Sequence, residues 1–240
     1  MLSPYGLEIN DNCLSCKTRQ GRIVCNLDQA GLQAFETIKY TTAYPKGAVL
    51  FLEGQAPRGI FVVCKGQVKL SLGDRTGKTL ILKIVDAGEV LGLGATFSGK
   101  PYELTAETIT PCQISFAKRE EFLRFLKSNS DACFKVAEQL SIKYKDACHE
   151  VRSLGLSYSA GQKLARLLLE WTSHNGEAAK SQPSLEMTLT HDEIAQMIGT
   201  SRETVTRVFA DFRKHNLVQS RGSTLLICNK GQLQALAGER

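Results

Sequence analysis

The chain has 240 residues, 42% of them hydrophobic and 22% charged, an ordinary globular balance that suits one or two domains. No run approaches the roughly 18 apolar residues of a membrane span. The opening MLSPYGLEINDNC has no basic region followed by an apolar stretch, so no secretory signal is expected and a cytoplasmic address follows by elimination. The net charge of +6 permits a nucleic-acid partner but does not require one.

The eight cysteines are the unusual count. Without a secretory signal they read as thiols, metal ligands or redox groups rather than as a disulfide frame. Cys13, Cys16 and Cys25 fall together in CLSCKTRQGRIVC. This segment is polar and has neither helical nor strand periodicity, so core packing does not explain it. Lys17, Arg19 and Arg22 lie within it with no acidic residue, and positive charge favours the thiolate. Zinc would want a second pair or histidines at finger spacing, and neither follows. An iron–sulfur cluster also wants four thiolates, and its fourth ligand can be distant. A metal or cluster site, a redox thiol pair and no function all stay open on spacing alone. The remaining five cysteines are scattered singly, and each by itself reads as a small buried hydrophobe.

Leu27, Leu32, Phe35 and Ile38 repeat at the spacing of a short helix. From Thr41 to about Phe116 short β-rich runs alternate with glycines. Val68, Leu70 and Leu72 alternate, as do Leu80, Leu82 and Ile84, which predicts an all-β barrel or jelly roll. Cys112 shares a strand face with Ile114 and Phe116, and its plain reading is a core thiol.

From about Lys118 to Leu156 the pattern is helical. Ala137, Leu140, Tyr144, Ala147, Val151 and Leu154 follow a 3,4,3,4,3 spacing, a heptad seam expected to pair two copies of the chain. Another amphipathic helix covers 162–172. His174–Pro183 reads as a loop, and Leu185, Met187 and Leu189 alternate as a short strand.

Thr190-His-Asp-Glu193 and Thr200-Ser-Arg-Glu203 read as two capping boxes opening two helices, with Gly199 as the turn between them. Ala195 is small where the helices cross, and Val205 faces back into the pair. This is a helix-turn-helix. Its second helix enters the major groove with its N-terminal residues on base edges. Ser201, Arg202, Glu203, Thr206 and Arg207 lie there. Arginine suits guanine and glutamate suits cytosine. Leu217–Ser220 and Thr224–Ile227 flank Arg221-Gly222 as a hairpin wing, with Ser220 and Arg221 as phosphate contacts. No nucleophile–histidine–acid set or phosphate loop stands out, and a thiol oxidoreductase would want its cysteine pair at a helix start beside a βαβ unit, so an enzyme is not expected.

From about Leu27 to Gly238 this order resembles the cAMP receptor protein/fumarate-nitrate regulator family of bacterial transcription factors. SRETVTR (Ser201–Arg207) is very like that family's recognition helix, and GEVLGL from Gly88 resembles its β-roll turn. The resemblance implies an α+β chain in four parts: a cysteine-rich segment over 1–26, a cyclic-nucleotide-binding-like β-roll (jelly roll) over 27–126, a dimerisation helix over 127–157 and a winged helix-turn-helix over 158–240. It further implies a homodimer, double-stranded promoter DNA and RNA polymerase as partners. Cyclic-nucleotide members carry a Gly-Glu-Leu run and an Arg-Ser pair for the phosphate. Here the run is Gly92-Leu-Gly94, and Tyr102 and Glu103 stand at the pair, so a cyclic nucleotide is not expected. The oxygen-sensing iron–sulfur branch is matched by Cys13, Cys16 and Cys25, with Cys112 in the place of its fourth ligand. That implies a [4Fe–4S] cluster sensitive to oxygen or nitric oxide. The eight-residue gap between Cys16 and Cys25 is longer than in better-known members. Glu203 and Arg207 imply an inverted repeat with a TGA core. Cys64, Cys133, Cys148 and Cys228 are left to ordinary packing.

Overall fold

A computed structural model describes residues 5–7, 9, 12–16, 24–74, 77–155, 158–174, 184–186, 189–221 and 224–238, with backbone alone at 146, 149–155, 173–174, 184–186 and 221. The chain forms two compact units, Met1–Asp146 and Ala147–Arg240.

In the first unit two four-stranded antiparallel sheets enclose one core. One sheet runs β1 (Lys39–Tyr44), β8 (Cys112–Lys118), β3 (Gly59–Lys65), β6 (Val90–Leu91). The other runs β2 (Val49–Phe51), β7 (Thr105–Thr108), β4 (Val68–Gly73), β5 (Thr79–Val85). Phe51, Phe61, Val63, Val68, Val85, Leu91, Ala106, Cys112 and Ile114 meet between them. This is the expected β-roll.

Both faces of the first sheet are covered. Strand residues alternate sides, so Phe61 and Val63 point into the roll while Ile60, Val62 and Cys64 point outward. On the outer face lie α1 (Gln29–Glu36), α3 (Arg119–Ser128) and the start of α4 (Ser130–Gly155). α1 begins where the Asp28 carboxylate accepts the Gly31 N–H at 2.7 Å. It presses Leu32 and Phe35 onto the sheet, and α3 adds Phe122, Phe125 and Leu126. Each such side chain contributes about 1.5–3 kcal/mol through burial. Asn129 separates α3 from α4 and caps the latter by accepting the Ala132 N–H at 2.9 Å. Ala132 and Val136 then pack on the same cluster. The long helix expected over 127–157 therefore begins against the roll, and the boundary between the two units falls within it. α2 is a short helix at Leu93–Ser98.

The second unit packs α5 (Ala160–His174) on α8 (Lys230–Ala237) and on the pair α6 (His191–Ile198) and α7 (Arg202–Lys214). A small antiparallel sheet of β10 (Val218–Arg221), β11 (Thr224–Ile227) and β9 (Ser184–Glu186) completes it. The hairpin wing expected after the second helix is β10–β11. The strand expected at 185–189 forms at its start; positions 187 and 188 lie outside the described residues.

Tyr102 closes the end of the roll. Its ring is buried and stacks on Phe51, with centroids 4.1 Å apart. Its hydroxyl accepts the N–H groups of Arg58 and Gly59 at 3.0 and 3.2 Å and donates to the Gly59 carbonyl at 2.9 Å. Replacing Tyr102 by Phe leaves these buried backbone groups without that partner. The Tyr102→Phe protein should lose about 1–3 kcal/mol from the β-roll transition in equilibrium urea unfolding. An unchanged midpoint would show that the hydroxyl contributes no net stability.

Candidate nucleic-acid interface and thiol site

The helix-turn-helix is built from its caps. Thr190 N–H donates to Glu193 Oε2 at 2.8 Å, and Glu193 N–H donates to Thr190 Oγ1 at 3.2 Å, a complete capping box. α6 ends at Gly199, whose φ of 65° is the left-handed conformation that a residue without Cβ adopts most easily. Ile194, Ala195 and Ile198 on α6 and Val205, Val208, Phe209 and Phe212 on α7 are buried.

The second box differs from expectation. Ser201, not Thr200, is the N-cap of α7; it accepts the Thr204 N–H at 3.3 Å. Glu203 consequently sits one position too early to close a box with Ser201. Its exposed carboxylate is held below the usual range by its own backbone N–H at the helix start, by Ser201 and by Arg202. Glu203 joins Arg202, Thr206, Arg207 and Ala210 around an open surface depression on α7. All five are exposed.

Thr206 is more constrained than its sequence position suggests. Its hydroxyl donates to the Arg202 carbonyl at 2.9 Å and meets His191 Nδ1 at 3.0 Å. His191 stacks on Phe209 at 5.0 Å. Burial, then Arg213 and Arg202, holds its pKa below the ordinary value, so the neutral ring is favoured. Sequence reasoning passed over His191 because it opens α6, fifteen residues before Thr206; only the crossing of the two helices brings the two side chains together. On the wing Ser220 is exposed and pairs in register with Leu225. The Arg221 side chain lies outside the described residues.

The heptad seam divides. Ala137, Tyr144 and Ala147 are exposed, but Leu140 packs partly against the outer-face cluster of the roll. Phe134 and Ile142, which the seam did not include, are exposed as well. The side chains of Val151 and Leu154 lie outside the described residues.

The thiols are arranged differently from expectation. Cys13 packs on the outer-face cluster, and Val24, next to Cys25, is buried in it. Cys112 instead faces the interior of the roll and is fully buried. Its sulfur donates to the carbonyls of Gln67 and Thr110 at 3.3 and 3.2 Å, and burial pushes its thiol up. It also fills the space where a Cβ on Gly66 would stand, 2.6 Å away. The structure therefore does not bring Cys112 to Cys13. The physical reason is strand parity: Cys112, Ile114 and Phe116 share the inward face. The thiol on the outward face is Cys64, 3.2 Å from Ser115 Oγ. Cys133, Cys148 and Cys228 are exposed rather than packed in a core. Among the described residues no three His, Cys, Asp or Glu side chains stand close enough to hold a metal ion.

A family model of the Crp-like helix-turn-helix domain matches residues 162–236, and one of the cyclic nucleotide-binding domain matches 41–129. The chain is 27% identical over 197 residues to the cAMP-activated global transcriptional regulator CRP of Haemophilus influenzae, covering 82% of this chain and 87% of that protein. It is 24% identical over 190 residues to a CRP-like cAMP-activated global transcriptional regulator of Mycobacterium tuberculosis, covering 79% and 84%. Among solved structures it is similar in fold to FixK2 of Bradyrhizobium japonicum, with a TM-score of 0.72, 20% identity and coverage of 83% and 97%. It is similar also to a CooA mutant of Carboxydothermus hydrogenoformans, with a TM-score of 0.72, 20% identity and coverage of 91% and 96%. A β-roll joined to a winged helix-turn-helix defines a DNA-binding transcription regulator, not an enzyme. The two models together span more than half of the chain, in the family's order, and the chain belongs to the cAMP receptor protein/fumarate-nitrate regulator family. No helix among the described residues is long and apolar enough to cross a membrane.

Burial pushes the Cys13 thiol up to about 12, with Lys39 opposing it and Glu36 adding to it. The thiolate is the nucleophile, so Cys13 is nearly unreactive at neutral pH and gains thiolate about tenfold per pH unit below that value. In the reduced, metal-free protein, iodoacetamide at about pH 8 should label Cys13 at least about tenfold more slowly than exposed Cys133 or Cys228. Peptide mass spectrometry reads the rates; equal rates would contradict the burial.

Proposed function

We propose that this protein is a cytoplasmic homodimeric regulator that binds a TGA-containing inverted repeat and is gated by its N-terminal cysteine segment, with a [4Fe–4S] cluster as the sensing group. The DNA reading rests on one observation, the exposed quartet Arg202, Glu203, Thr206 and Arg207 at the start of α7. Arg207 is suited to donate to guanine O6 and N7, and Glu203, ionised and unburied, to accept from cytosine N4. The Thr206 hydroxyl is already bonded to Arg202 and His191, which leaves its methyl group for a thymine methyl. Arg202 supplies a further base or phosphate contact, and the wing adds Ser220 and Arg221 at the backbone. Bulk charge does little here. From Thr190 to Arg240 seven basic residues face five acidic ones, so placement rather than quantity of charge carries the argument. Dimerisation is supported by Phe134, Ala137, Ile142, Tyr144 and Ala147, exposed along α4 with no covering element among the described residues. RNA polymerase would be the remaining partner at the promoter.

Thiolates of Cys13, Cys16 and Cys25 would hold the cluster, which supplies an iron centre reactive toward oxygen or nitric oxide. Packing within the first unit supports a link from that segment to α4. Cys13, Val24 and Leu27 pack on the same cluster as Ala132, Val136 and Leu140 of α4. Ordering or releasing the N-terminal segment changes the support on which α4 rests, and through it the pairing of two recognition helices about one DNA turn apart. The relatives are cAMP-activated, but here Tyr102 fills the end of the roll, and the Glu103 carboxylate lies 3.2 Å from where a Cβ on Gly94 would stand. A carboxylate at that place disfavours a phosphate.

Fluorescence anisotropy with a TGA palindrome should show salt-dependent binding. Arg207→Ala and Glu203→Gln should each weaken it by about 1–3 kcal/mol and lose discrimination against a changed core base. Equal binding to a scrambled duplex would remove the sequence-specific reading. Separately, protein purified without oxygen should carry iron and a visible absorption that bleaches in air together with DNA affinity. A colourless protein that takes up no iron on reconstitution, with its thiols intact, would remove the cluster.

A further inference from the structure

His191 opens α6, and the polar side chains around it are engaged within that helix. Thr190 and Glu193 close the capping box, and the Asp192 carboxylate accepts from Gln196 Nε2 at 3.0 Å. The His191 ring reaches across to α7 instead. One face stacks on the buried Phe209, with centroids 5.0 Å apart and planes inclined by 12°. One edge brings Nδ1 to 3.0 Å from Thr206 Oγ1. The same hydroxyl donates to the Arg202 carbonyl at 2.9 Å. A hydroxyl has one proton, and here that carbonyl takes it. Thr206 Oγ1 therefore accepts from His191, which places an N–H at Nδ1.

We propose that His191 is a positioning residue for base specificity: it holds Thr206 with the hydroxyl turned to the helix and the methyl group outward, so that the half-site is read for a thymine methyl. The inference rests on the DNA reading of α7 above. A helical threonine divides between two rotamers, one of them held by a bond from its hydroxyl to a carbonyl of the preceding turn. The two offer DNA different groups. An outward hydroxyl finds a partner on any base, whereas the methyl selects thymine. The bond to Arg202 alone leaves both rotamers open. One further hydrogen bond shifts such a balance by about twofold to tenfold, and His191 supplies it from a ring whose plane Phe209 fixes. Thr206 is exposed beside Arg202, Glu203 and Arg207, so its outward group is free to meet a base. Position 191 thereby sets what position 206 reads, and it needs no base contact of its own to do so.

The test uses the full-length protein and a TGA palindrome in which single thymines of one half-site are replaced by deoxyuridine, a change that removes only the C5-methyl group. Fluorescence anisotropy at one salt concentration gives the thymine-to-uracil affinity ratio at each position. At one thymine wild type should bind about fourfold more tightly than to uracil, the effect of one buried methyl group. Thr206→Ser has no methyl and should bring that ratio to unity, which marks the thymine that Thr206 meets. His191→Phe keeps a ring on Phe209 without the N–H, and His191→Ala removes both; each should at least halve the ratio at that thymine and leave the other positions unchanged. His191→Asn carries an N–H the same number of bonds from its Cβ and should restore the ratio. Thr206→Val has a methyl in both places, so in that background His191→Phe should no longer alter the ratio. Thermal melts check that each variant folds. A ratio unchanged in His191→Phe and His191→Ala, a ratio that His191→Asn does not restore, or one that His191→Phe still lowers in Thr206→Val each overturns the proposal; the last would mean that His191 only holds α6 against α7. If no thymine shows a methyl effect that depends on Thr206, the base contact of Thr206 itself is overturned, a different outcome from a Thr206-dependent effect that ignores His191.

Discussion

The sheet β1-β8-β3-β6 is buried on both sides, and everything else in the first unit depends on that. Its inner face closes the roll with Phe61, Val63, Cys112 and Ile114. Its outer face receives α1, α3, the start of α4 and the chain at Val24 and Leu27. A strand with two buried faces commits every residue to one side or the other, because successive side chains point oppositely. A shift of one residue would exchange the two cores. Among the described residues, the outer cluster is where Cys13 and Val24 pack together with Ala132, Val136 and Leu140 of α4.

Under the proposed gating, that cluster links the cysteine segment to α4 by direct packing. Cys13 and Leu140 are both half-buried against it. A segment held by few apolar contacts is among the first to open, and the parts of a regulator that move are drawn from such segments. Holding that segment by ligation would tie it to the sheet, and the support beneath α4 would change with it.

In the second unit the recognition surface is set by caps. Ser201 rather than Thr200 caps α7, and Glu203 lies on the exposed face with its neighbours Arg202, Thr206 and Arg207. His191 then fixes the Thr206 hydroxyl from the adjacent helix. These are differences of one residue in register, and they decide which groups DNA would meet.

The sequence by itself determined the roll, the helix that follows it, the wing, the first capping box and the four polar side chains exposed together at the start of the second helix. Each is a local pattern: alternation, 3,4 spacing, a glycine turn, a cap three residues from its partner. Even the inward face of Cys112 was legible from its alternation with Ile114 and Phe116. The tertiary structure alone decided which cysteines share a side of the sheet, that Leu140 serves the roll rather than the seam, and that His191 reaches Thr206. Cys13, Glu36, Lys39, Ser115 and Cys64 are separated by up to 102 positions, the distance from Cys13 to Ser115. Periodicity carries no information across such a separation. Only sheet pairing, with Thr41 opposite Ser115 and Val63 opposite Ile114, brings those side chains onto one surface.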